Sequence, residues 1–102
     1  MKAPDLSPKQ LDAVRASFEY WLRNWDWEMP TLTGLSREEF ERVAGLWPTA
    51  VPENVQTTML AALGAVREFW AAERSAAQLL GLTEGEMVSL IDGLTKGVDD
   101  AV

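Results

Sequence analysis

The stretch Asn54-Val55-Gln56-Thr57-Thr58-Met59-Leu60-Ala61-Ala62-Leu63-Gly64-Ala65-Val66-Arg67-Glu68-Phe69-Trp70 decides how this chain folds. Apolar residues recur at Val55, Met59, Ala62, Leu63, Val66, Phe69 and Trp70. These steps of three and four gather them on one side of an α-helix. No charge falls between Asn54 and Val66, so the other sides of the helix are also poor in polar groups. Such a helix is covered on more than one face, and other helices must pack around it. Val51, Pro52 and Glu53 read as its opening turn, because proline suits the first positions of a helix. Leu63 is expected in the core, where truncation to alanine costs roughly 2–5 kcal/mol.

Upstream, Ser7-Pro8-Lys9-Gln10 combines a capping hydroxyl, an early proline and a Gln that closes a capping box. Leu11, Val14, Phe18, Trp21, Leu22 and Trp25 then form one stripe, which predicts a first helix from Pro8 to about Trp25. The segment from Asp26 to Gly34 breaks the pattern: Pro30 removes an amide and biases Met29 towards extended geometry, so the first helix is expected to be over by then. Ser36 and Glu39 form a second box, flanked by a Leu35–Phe40 staple. The short second helix buries Phe40, Val43, Ala44 and Trp47 and stops at Pro48.

Downstream, Ser75 and Gln78 suggest a third box ahead of a short helix over Ala76 to Leu80, and Gly81 suits the left-handed residue that ends it. Leu82, Thr83, Glu86 and Met87 repeat box and staple, and the last helix turns Met87, Leu90, Ile91 and Leu94 inward. No repeat, linker or sustained period-two alternation interrupts this pattern. The expected fold is an all-α bundle of four to five helices in a single domain over 1–102, with 1–6 and 98–102 frayed. Its core should hold Leu11, Val14, Phe18, Trp21, Phe40, Val43, Leu63, Val66, Trp70, Met87, Leu90 and Ile91.

Composition narrows function by exclusion. The 102 residues are 47% hydrophobic and 25% charged, as in a folded domain, but contain no Cys and no His. Thiolate nucleophiles, disulfides, imidazole acid–base chemistry and the usual zinc ligand sets are therefore absent. Carboxylates remain, yet paired acids need a deep cleft to hold different proton affinities, and Glu38, Glu39 and Glu41 sit where a helix N-terminus favours acids anyway. No catalysis, no cofactor and no metal are expected. No apolar run reaches the roughly 20 residues of a membrane span, and Met1 to Ser7 lacks the apolar stretch of a secretory signal. The cytoplasm is the expected compartment, with no membrane partner.

Nine basic against sixteen acidic side chains give a net charge of -7. Residues 76–102 carry one basic and five acidic groups against eight and eleven in residues 1–75, so the last quarter holds more than half of the excess. In spacing alone, Ala77, Leu80, Gly81, Leu82, Thr83, Met87, Leu90 and Gly93 resemble the helix-turn-helix of phage-repressor-type DNA-binding domains. That resemblance would imply a recognition helix, which needs basic and amide side chains. The positions offered are Glu84, Glu86 and Asp92, so no nucleic-acid binding is expected.

Five Trp are an unusual load for this length. Trp21 and Trp25 lie on the first helix's apolar stripe and read as core, whereas Trp27 falls off it between Asp26 and Glu28. Exposed Trp beside carboxylates has the character of an interface anchor for a cationic partner. The expected partner-binding residues are Asp26, Trp27, Glu28, Glu84, Glu86 and Asp92. The profile points to a small acidic protein that inhibits a basic toxin or enzyme, as an immunity protein or antitoxin does, with a nuclease as the favoured target. A helical adaptor acting by self-association is the alternative, and a DNA-binding regulator comes third. The chain itself should be a monomer or a weak homodimer.

Overall fold

The computed structural model describes residues 6–101. Its order is α1 (Pro8–Arg23), α2 (Met29–Thr33), α3 (Arg37–Leu46), α4 (Val55–Ala72), α5 (Ala76–Leu79) and α6 (Glu84–Asp100). Four helices are long and two are single turns, and no strand occurs among the described residues, so the molecule is the expected all-α bundle. The nearly uncharged α4 is its centre. It packs most extensively against α6 and α1, and also meets α2, α3 and α5. The fraying expected at 1–5 and at Val102 lies outside the described residues. α6 itself runs to Asp100.

Three of the helix starts follow the capping signals in the sequence. At Ser7, Ser36 and Thr83 the hydroxyl accepts the amide three residues on, and the Gln10, Glu39 or Glu86 side chain accepts the cap residue's own amide. Removing one such hydroxyl leaves a helix-terminal amide without its acceptor. Thr83→Ala is therefore expected to lower stability by about 1 kcal/mol in urea unfolding.

The structure departs from the expected pattern in three places, each for a local reason. The first helix is over before Pro30, as expected, but Met29 is helical and not extended, because Pro30 occupies the first turn of α2, where no amide is needed. At α4 the cap is Asn54, whose Oδ1 accepts the Thr57 amide at 3.2 Å, so Pro52 and Glu53 fall in the turn before the helix. Ser75 makes no side-chain capping bond, because its backbone (φ -96°, ψ 15°) lacks the extended conformation that aims a hydroxyl at the helix. Gly81 does adopt the left-handed geometry, at φ 72°. Around it the Leu82 amide donates to the Ala77 carbonyl (2.8 Å) and the Gly81 amide to the Gln78 carbonyl (3.0 Å). This closes the pair of bonds that seals a helix C-terminus.

An aromatic group joins α1 to α3. Phe18 meets Phe40 edge-on at 5.3 Å and Trp47 at 5.6 Å, while Trp25 covers the other side of Phe40 at 5.2 Å. The indole of Trp47 donates to the Leu11 carbonyl at 3.0 Å and that of Trp21 to the Ala65 carbonyl at 2.9 Å, so both rings sink without orphaned N–H groups. Of the expected core, Leu11, Leu63, Trp70 and Ile91 pack at its margin and are half-buried. A void at Leu63 is thus partly open to water, which places Leu63→Ala towards the low end of the core range.

Candidate functional site

The six expected contact residues divide into two groups at opposite ends of α1. Lys9, in the first turn of α1, pairs with Glu86 at 3.0 Å, and Leu6 just ahead of α1 approaches the α-carbon region of Gly93. The start and middle of α6, with Glu84, Glu86 and Asp92, therefore lie beside the beginning of α1. Asp26, Trp27 and Glu28 follow its end. At about 1.5 Å per residue, the length of α1 separates the groups by about 20 Å.

At the first end, Glu84 and Asp92 are exposed and flank Val88 at helical spacing, but Glu86 is already engaged. Its carboxylate accepts the Thr83 amide and meets Lys9, and these contacts hold its pKa below the usual glutamate value, the Thr83 amide contributing most. A lowered folded-state pKa stabilises the protein above the unfolded value, and that contribution is lost as pH falls through the folded one. Glu86→Gln keeps an acceptor for the cap but removes the charge. The stability difference between wild type and Glu86→Gln is expected to shrink as the pH drops below the ordinary carboxylate range, read from urea midpoints.

At the other end, α1, α2 and the last turns of α4 enclose a cleft of about 230 Å³ lined by Trp21, Asp26, Glu28, Met29, Leu32, Glu68, Ala71 and Ala72. Local sequence explains its walls. Asp26 Oδ1 accepts the Glu28 amide at 3.0 Å, an Asx turn that carries the chain from α1 into α2. α2 rests on α4 at Gly64, where a β-carbon would meet the Leu32 carbonyl oxygen and Thr33 Cγ2 at 3.6 Å, an ordinary contact distance. Thr33 donates to the Met29 carbonyl at 2.8 Å within α2 and accepts the Leu35 amide at 3.3 Å just beyond it.

Charge and exposure set this cleft apart. Asp26, Glu28 and Glu68 pair with no cation among the described residues. Glu28 stands at the N-cap position of α2 but makes no capping bond with its side chain. Trp27 is 83% exposed and Leu32 45% exposed. Of the residues that the sequence points to, Asp26 and Glu28 line the cleft and Trp27 does not, while Glu68, Met29, Leu32, Ala71 and Ala72 join only through the packing of α2 on α4.

Other surface depressions carry less. One of about 370 Å³ lined by Glu39, Arg42, Val43, Glu53 and Asn54 is spanned by the Arg42–Glu53 pair at 2.6 Å, while Glu39 accepts the Ser36 amide. Another of about 370 Å³ lies over Arg67, Trp70, Ala71 and Ile91. Tyr20 donates to Glu73 at 3.2 Å and is held protonated, its pKa raised first by burial and then by the Glu73 charge. Among the described residues no three carboxylates converge closely enough to hold a metal ion, and no helix is long and apolar enough to cross a membrane.

No protein-family model, curated protein or solved structure matches the chain. The functional reading therefore stands on the geometry of the two acidic ends.

Proposed function

We propose that this protein acts by binding and occluding a basic protein partner, as a toxin-neutralising immunity protein or antitoxin in the bacterial cytoplasm, with a nuclease toxin as the favoured target. The observation that carries the reading is Trp27, 83% exposed between Asp26 and Glu28, whose carboxylates meet no cation among the described residues. A large aromatic left in water beside like charges is unfavourable in the isolated chain and favourable once a cationic surface covers it. The net charge of -7 adds long-range attraction to a basic target, which raises association rates and repels nucleic acid. The absence of His and Cys supports binding in place of catalysis.

The test is co-expression with the product of the neighbouring gene, followed by binding at two ionic strengths. A one-to-one complex that relieves toxicity, and that associates more slowly at higher salt, is expected. A chain that sediments as a stable dimer and leaves its neighbour active would overturn the reading in favour of the self-associating adaptor. A salt-sensitive footprint on duplex DNA would instead favour the regulator suggested by the spacing from Ala77 to Gly93.

A further inference from the structure

We infer that the cleft between α1, α2 and the end of α4 receives a single arginine side chain from the protein partner, with Leu32 covered by apolar residues flanking that arginine. The inference rests on the binding reading above and names the chemistry that the site would recognise.

Size comes first. At about 230 Å³ the cleft is smaller than the roughly 300–1,000 Å³ of small-molecule sites, so it suits one long side chain better than a metabolite. Its floor is apolar. The Trp21 indole N–H is spent on the Ala65 carbonyl, and Met29 is buried, so the ring of Trp21 and the thioether of Met29 present no free donor.

Its lip is anionic from three separate elements: Asp26 after α1, Glu28 at the start of α2 and Glu68 on α4. Elsewhere Glu41, Glu53 and Glu86 meet Arg37, Arg42 and Lys9, whereas these three meet no cation among the described residues. A side chain with an apolar stem and a charged, planar head matches that combination of floor and lip. Guanidinium does so better than ammonium, because it stacks on aromatic faces and forks to carboxylates.

The surroundings extend the surface. Leu32, in the wall of the cleft, is 45% exposed. A second copy of this chain fits poorly here, since two molecules of charge -7 repel and each would bring carboxylates to the same lip.

The experiment titrates the 15N-labelled full chain with the peptide acetyl-Leu-Arg-Leu-amide, and with the same peptide carrying uncharged citrulline in place of arginine. The arginine peptide is expected to shift the indole signals of Trp21 and Trp27 and the amides of Met29, Leu32 and Ala72, and the citrulline peptide to shift them far less. Asp26→Asn with Glu68→Gln should weaken the arginine peptide by about two- to fivefold for each exposed charge removed. Ala72→Leu, an exposed position at the end of α4, should fill the cleft and abolish the shifts without touching a carboxylate.

Equal shifts with citrulline, or shifts confined to Glu84 and Asp92, would overturn the assignment. Neutralisation assays separate the two levels of the argument. If the chain neutralises its neighbour and Ala72→Leu does so equally well, the cleft assignment falls and the inhibitor reading stands. If the arginine peptide binds in the cleft but the neighbour is never neutralised, the inhibitor reading falls and the cleft stands.

Discussion

Phe18→Ala is expected to lower the unfolding free energy by about 3–5 kcal/mol, the range for removing a buried aromatic ring. Phe18 is 1% exposed and touches Phe40 and Trp47 edge-on, so its loss opens a void between α1 and α3 that neither neighbour can fill by a rotamer change alone. Small domains are stable by roughly 5–15 kcal/mol, and a loss of this size removes about a fifth of that or more. Leu60→Ala on the outer face of α4 should change the same urea midpoint by no more than about 0.5 kcal/mol. If the two substitutions cost similar amounts, the packing of α1 on α3 is not what secures the bundle.

Only some physical signals survive in a bare sequence. The capping boxes at Ser7, Ser36 and Thr83 were legible because both partners lie within four residues and the geometry follows from their identity. The central place of α4 was legible because its lack of charge leaves no side suited to water. Pro30 was ambiguous, since proline removes an amide wherever it stands, and only the position of the preceding turn makes that loss harmless. Ser75 misled for the converse reason: the residue types of a box were present, but tertiary packing left its backbone outside the extended region. The exposure of Trp27 followed from its departure from the α1 stripe. The role of Glu68 did not, because it depends on where α2 rests, and a five-residue helix leaves almost no periodic signal.

The separation of the two acidic groups along α1 makes their contributions experimentally distinct. Trp27→Ala should leave the urea midpoint nearly unchanged, since a side chain 83% exposed buries little on folding. Against a cognate basic partner, however, loss of a central aromatic anchor is expected to weaken binding by about 2 kcal/mol, or roughly 30-fold, and to appear mainly as faster dissociation. Glu84→Gln, Glu86→Gln and Asp92→Asn together should instead slow association and flatten its dependence on salt, because charges at the edge of a contact act while the partner is still approaching. With about 20 Å between the groups, the two effects on affinity should add within about 0.5 kcal/mol in a double-mutant cycle. Surface plasmon resonance at two ionic strengths measures all four corners of that cycle. If Trp27→Ala leaves dissociation unchanged while the α6 substitutions accelerate it, the partner is anchored beside the start of α1, and the corner between α1 and α2 is only its approach.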